Sequence, residues 1–125
     1  MRFRQPREKD EAHLDFVRSL PCAVCGDNTH TEAAHIRSGN LTYGKEQTGM
    51  QQKPHDRWTV PLCGRCHREQ HSQNEWRFWK DLRINPWTLA MTLHDISGNH
   101  EMACTVIERH KAPGIGNYYR AGEKL

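Results

Sequence analysis

Apolar residues along this chain fall in short, separated groups, and the spacing within each group predicts a small set of short elements. In residues 8–20, His13, Phe16, Val17 and Leu20 recur at helical spacing, with acidic residues early and Arg18 late, as the helix dipole favours. Pro21 ends that helix and opens the turn PCAVCG. Residues 29–36 and 58–62 have the length and composition of strands, with Pro61 marking an irregular or edge position. Between them SGNLTYGKEQTGMQQKPHD is polar and without periodicity, and reads as a long loop. A helix is expected from about residue 66 to about residue 82. On it Trp76, Trp79 and Leu82 lie on a different stripe from His67, His71, Asn74 and Phe78, so that one face packs and another presents histidines. Asn85-Pro86 is a cap followed by a first-turn proline, which starts a further short helix, WTLAMTL. Beyond Ser97-Gly98-Asn99 the pattern weakens. MACTVI fits strand or helix, and APGIGNYYRAGEKL reads as an extended or partly disordered tail.

Composition narrows the class. A chain of 125 residues is one domain, and with 35% hydrophobic residues and a mean hydropathy of -0.94 it has thin material for a core. A bound metal adds folding free energy to chains this polar and rich in Cys and His. Of the five cysteines, four form two CxxC pairs and one, Cys104, stands alone as a small buried hydrophobe. That spacing suits a reduced metalloprotein better than a secreted disulfide framework. The N-terminal MRFRQPREKDE lacks the apolar run of a signal peptide, and no stretch of apolar residues is long enough to span a membrane, so a cytoplasmic location is expected. The expected organisation is a domain over residues 1–97, its core at about 20–83 and its N-terminal helix at about 8–20, followed by an extension over 98–125.

The CxxC pairs carry the strongest local signal. Cys22-x2-Cys25 and Cys63-x2-Cys66 each place two thiolates on one side of a metal, and together they complete a tetrahedron. The second pair opens a helix, whose N-terminus favours thiolates. A knuckle, a long excursion and a second pair opening a helix make the zinc arrangement of a treble clef, which gives the fold class: small α+β, zinc-stapled. The stretch CGRCHREQH then leaves His67 and His71 unused. At i and i+4 they share a helix face and are placed to bind one further ion; the plainer alternative is two polar residues facing solvent.

Upstream, EAAHIR puts His35 at the end of a probable strand, and KPHDRWTVPLCGRCH follows the loop. The motifs PCAVCG, AAHIR, KPHDRWTVPLC and CHREQH, over roughly residues 20–75, resemble the HNH endonucleases built on a ββα-metal, treble-clef core. They are most similar to the phage and prophage branch that includes the RecA-dependent recombination-enhancement nuclease. The resemblance implies a metal-dependent DNA endonuclease. His35 matches the general base that deprotonates the attacking water, His67 matches the last His of the motif, a ligand of the catalytic ion, and His71, one helical turn on, is a candidate second ligand. Asp56 replaces the middle Asn of the motif and either orients the base loop or binds metal. Many relatives carry a metal ligand just before the base, where this chain has Ala34; either the metal has fewer protein ligands, or Asp56, Glu32 or His55 supplies the missing one. The implied cofactors are a structural Zn²⁺ and a catalytic Mg²⁺ or Mn²⁺, replaceable by Zn²⁺ or Ni²⁺, and the implied products carry 5′-phosphate and 3′-hydroxyl ends.

These residue types suit the chemistry. A neutral imidazole accepts a proton near neutral pH, and a divalent ion neutralises phosphate charge and stabilises the leaving oxygen. The formal charge of +3 acquires a location if Arg37, Lys45, Lys53, Arg57, Arg65 and Arg68, which surround the motifs, contact phosphates. For any one of them a solvated surface role weighs about equally. Trp58 is expected to pack rather than to stack on a base. The expected partner is DNA, with a recombinase filament as a candidate protein partner and no membrane. An alternative reading is a non-catalytic zinc module that binds nucleic acid or a recombination protein; Ala34 favours it and the paired His67 and His71 count against it. A zinc-stapled interaction domain without a nucleic-acid role is weaker still.

Overall fold

The computed structural model describes residues 7–48 and 53–111. Asp10 caps the first helix, α1 (Glu11–Arg18), by accepting from the His13 amide, and Glu11 and Arg18 sit at the ends their charges favour. The helix stops short of Pro21. Strand β1 (Thr31–His35) pairs antiparallel with β2 (Thr59–Cys63), in a register that sets Thr31 opposite Cys63 and His35 opposite Thr59. Pro61 sits opposite Ala33 in this two-stranded sheet, and its carbonyl accepts from the Ala23 amide, so the first CxxC turn docks directly on β2. The loop between the strands contains a 3-10 turn at Leu41–Tyr43, closed by Gly44 in the left-handed region at φ 77°.

Beyond β2 the helical pattern departs from expectation. One helix over residues 66–82 is instead two: α2 (Gly64–Ser72) and α3 (Glu75–Leu82). Gln73 and Asn74 leave the helical region, and Asn74 restarts the chain as an N-cap by accepting from the Arg77 amide. The break resets the helical phase, so stripes drawn across it do not hold. Phe78, grouped by periodicity with the histidines, is buried, whereas Trp76 is 52% exposed with the Lys80 ammonium over its ring. Helix α4 (Pro86–Asp95) begins as read, with Asn85 capping the Thr88 amide and proline in the first turn. The segment left open between strand and helix is helical: α5 (His100–Lys111) lays Ala103 and Ile107 against α4. The expected tail, residues 112–125, lies outside the described residues.

The core gathers Leu20, Ile36, Val60, Leu62, Trp79, Leu89, Leu93 and Ile107, with Trp58 buried among them. Helices α1, α2 and α4 pack on the sheet, α3 packs on α2 and α5 on α4, and Phe78, Trp79, Ala103 and Ile107 bring α3 and α5 into the same core. The architecture is therefore a small α+β unit in which a two-stranded sheet is wrapped by helices and joined to a cysteine cluster. No helix of the described residues is long and apolar enough to cross a membrane.

Candidate metal centre and histidine clusters

The cysteines are brought together by the docking of the first turn on β2. Cys22 and Cys25 flank the turn, which closes with Gly26 at φ 82°; Cys63 ends β2 and caps α2, and Cys66 lies in the first turn of α2. All four sulfur atoms lie within 4.8 Å of one another. The Cys25 and Cys63 sulfurs are 3.7 Å apart, against about 3.8 Å for an edge of a tetrahedron with zinc–sulfur bonds near 2.3 Å. Backbone amides already point at the sulfurs: those of Val24 and Cys25 at Cys22, and that of Cys66 at Cys63. The Cys66 amide pulls the Cys63 thiol below its ordinary value, whereas burial pushes the Cys66 thiol up. Four thiolates this close repel one another unless a cation lies between them, and the donor set fits a tetrahedral metal. The cluster can hold a metal ion, and its ligands and spacing are consistent with structural zinc. All five cysteines are free of disulfides.

His35, at the end of β1, forms a second cluster. Its Nε2 lies 2.9 Å from Asp56 Oδ1. Asp56 is 2% exposed, and its carboxylate also accepts from Arg7 Nη1 at 2.7 Å and from the Asp10 amide at 2.7 Å. Burial pushes the Asp56 carboxyl up, but hydrogen bonds from His35 and the Asp10 amide, with the Arg7 charge, outweigh it and leave it below its usual range. Burial likewise holds His35 below the ordinary imidazole value, against the opposing pull of Asp56. A neutral His35 facing an ionised Asp56 must donate through Nε2, which leaves the lone pair on Nδ1.

The segment before α1 builds this cluster, and nothing in the sequence pattern pointed to it. Besides the two bonds to Asp56, the Glu8 amide donates to His55 Nδ1 at 2.7 Å, and the Asp56 amide donates to the Glu8 carbonyl. The Glu8 carboxylate takes both Nε and Nη2 of Arg57. Residues 7–10 thus clamp residues 55–57 from more than 40 positions away.

The third cluster sits on α2. His67 Nε2 and His71 Nε2 are 3.1 Å apart, the separation expected for two neighbouring ligands of one ion with metal–nitrogen bonds of about 2.0–2.1 Å. His67 Nδ1 meets Glu32 Oε1 at 2.7 Å. Burial and the neighbouring His67 hold His71 below the ordinary imidazole value, which keeps a nitrogen lone pair available. Ala34 is fully buried and offers no ligand atom. Among the described residues, the cysteines are the group of three or more His, Cys, Asp or Glu side chains that converge tightly enough for an ion without rearrangement.

The basic residues expected at phosphates divide by environment. Lys53, Arg65 and Arg68 are exposed. Arg57 is exposed and engaged with Glu8. Lys45 is only 3% exposed, with its ammonium donating to Arg37 O, Glu46 O and Thr48 Oγ1, and burial pulls it down to about 8. This geometry makes Lys45 a fastener of its own loop. Glu75 does similar work: its carboxylate receives the amides of Arg37 and Ser38 and Nε2 of the buried Gln70, tying the chain after β1 to α2 and α3. Neither Glu75 nor Gln70 carries a sequence signal for this role.

Known proteins provide an independent context. Over 65 residues, 50% of this chain, it is 35% identical to the uncharacterized protein YdfU of Escherichia coli strain K12. That alignment covers 16% of the relative's length, so the chain spans a small part of that protein. No solved structure matches the chain. A family described as protein of unknown function, DUF968, matches residues 1–93, which include both cysteine pairs, His35, Asp56, His67 and His71, and the chain belongs to this DUF968 family.

Proposed function

We propose that this chain is a metal-dependent, HNH-type DNA endonuclease with a zinc-stapled treble-clef core. The observation that carries the reading is the pairing of a contact at 2.9 Å between part-buried His35 and buried Asp56 with two histidine nitrogens 3.1 Å apart on α2. Both clusters are anchored on β1, one through His35 itself and the other through Glu32. Zinc at Cys22, Cys25, Cys63 and Cys66 would join the β2–α2 junction to the first turn and thereby fix the helix that bears His67 and His71.

The chain's own residues supply the proton chemistry. His35 Nδ1 accepts a proton from the attacking water, and the Nε2 contact with Asp56 holds the ring in the correct tautomer. As the imidazolium forms, the ionised Asp56 stabilises it, while Arg7 and the Asp10 amide keep Asp56 ionised. A Mg²⁺ or Mn²⁺ ion at His67 and His71 would supply phosphate charge neutralisation and stabilise the leaving oxygen. Exposed Lys53, Arg65 and Arg68 are available to the DNA backbone; Lys45 is not part of this surface. Thiol ligation of zinc and a DNA substrate suit a reducing cytoplasm, where a recombinase filament is available to direct cutting.

The reading is tested by incubating the purified chain with plasmid and with linear and single-stranded DNA, with and without Mg²⁺ or Mn²⁺, and analysing the ends. Metal-dependent nicks bearing 5′-phosphate and 3′-hydroxyl groups are expected. The buried Ala34 favours one competing account, a zinc module that binds DNA or a recombination protein without cutting it. Tight DNA binding with no cleavage of any form under either metal would select that account.

A further inference from the structure

β1 lacks a ligand atom at Ala34, yet the same face of the strand meets the histidine pair two residues earlier. Glu32 and Ala34 have the same strand parity, and Glu32 stands opposite Leu62 in the sheet. Its neighbour Thr31 is opposite Cys63, which caps α2, so the first turn of α2 rises beside Glu32 and carries His67 onto it. The resulting contact is specific to one ring nitrogen. Glu32 Oε1 lies 2.7 Å from His67 Nδ1, while His67 Nε2 faces His71. A carboxylate only accepts, so Nδ1 carries a proton, and in the neutral ring the lone pair is then on Nε2, which faces His71 Nε2. A carboxylate acting as a ligand would instead lie beside the two Nε2 atoms.

We propose that Glu32 is a positioning residue for a divalent-ion site formed by His67 and His71, standing behind His67 in place of a direct ligand from β1. It fixes the tautomer, stops the ring from turning about its bond to the chain, and makes Nε2 more basic. A site with only two protein nitrogens leaves several positions for water or phosphate, and depends correspondingly more on how well those nitrogens are aimed. Glu32 is 53% exposed in its side chain, so it is not a core residue and can be replaced without opening the fold. The inference rests on the ion site of the proposed function and not on cleavage itself.

The test uses the full chain with zinc already at the cysteines, titrated with Co²⁺ and Ni²⁺ and followed by calorimetry and by the visible Co²⁺ spectrum. Wild type should take up one additional ion, and His67→Ala should abolish it. Glu32→Ala should weaken that ion by about 10–100-fold. Glu32→Gln, whose amide oxygen can still accept from Nδ1–H, should recover most of the loss. Urea unfolding should be unchanged in both Glu32 variants. Equal affinity in wild type and Glu32→Ala overturns the proposal, as does a Glu32→Gln variant no better than Glu32→Ala or a wild type that takes up no ion at His67. The nuclease reading is judged separately: a Glu32-dependent ion on a protein that cuts no DNA upholds this inference and rejects that reading. Cleavage by a Glu32→Ala variant of unaltered affinity does the reverse.

Discussion

Replacing Asp56 by alanine removes one buried carboxylate and strands three donors together. Arg7 Nη1, His35 Nε2 and the Asp10 amide all lose an acceptor that lay 2.7–2.9 Å away. Hydrogen bonds to a charged group contribute about 1.5–3 kcal/mol each, but these three share one acceptor and are not additive. The Arg7 side chain is 28% exposed and can turn to water, and His35 remains neutral, so neither is left as a bare buried charge. With no bare charge left buried, the net cost is that of lost hydrogen bonds to one charged acceptor, about 1.5–3 kcal/mol. With a urea slope of about 2 kcal/mol/M, the unfolding midpoint of zinc-loaded protein should fall by about 1 M. Asp56→Asn keeps the shape and one acceptor but sets an NH₂ group against a donor, so it should lose part of that stability. It should also lose cleavage activity, by up to the roughly 10²–10⁴-fold that a general base contributes. A midpoint for Asp56→Ala within about 0.3 M of wild type, equivalent to about 0.5 kcal/mol, would refute this account of the clamp.

Other outcomes follow from the same geometry. Asn74→Ala removes the cap that restarts α3, and should cost about 1 kcal/mol in urea unfolding. Chelating the cysteine-bound metal should unfold the chain, seen as loss of far-ultraviolet circular dichroism and a gain of four reactive thiols, because structural zinc contributes about 10–16 kcal/mol where a domain's total stability is about 5–15 kcal/mol. Retained helicity after complete removal of the metal would contradict a structural role. Burial, with the nearby His94, depresses His13, and burial depresses His35 against the pull of Asp56; around and below the ordinary imidazole value of about 6.5 the unfolded chain therefore holds more protons than the folded one. Stability should accordingly fall as pH is lowered from about 7 toward 5, and His13→Gln should flatten that slope in urea titrations at successive pH values.

The parts of the fold legible in the sequence were those fixed by local chemistry. Asn85-Pro86 specifies the start of α4 because cap and proline act within one turn, and the CxxC spacings specify where thiols converge because a metal tolerates few geometries. His67 and His71 are neighbours for the same reason: an i, i+4 spacing on a helix leaves little else possible. What escaped was non-local or depended on phase. The break at Gln73-Asn74 left an unbroken apolar rhythm, yet it turned Trp76 outward and Phe78 inward. Arg7, Glu8 and Asp10 look like ordinary members of a charged N-terminal run, and their grip on residues 55–57 exists only once the chain has folded back. Lys45 read as a surface cation because its burial depends on the path of a loop with no periodicity to reveal it. Glu32 is the intermediate case. It was among three candidates for the ligand missing at Ala34, and strand register placed it behind His67.

The central claim is that His35, aimed by Asp56, deprotonates water for phosphodiester cleavage. The direct measurement compares wild type and His35→Ala, both zinc-loaded and equally folded by circular dichroism, for conversion of supercoiled plasmid to nicked and linear forms in Mg²⁺ and in Mn²⁺. The account predicts metal-dependent cleavage by wild type and a loss of at least about 10²-fold in the variant, with DNA binding retained. Equal cleavage by the two proteins, or none by wild type on any DNA form, would contradict it.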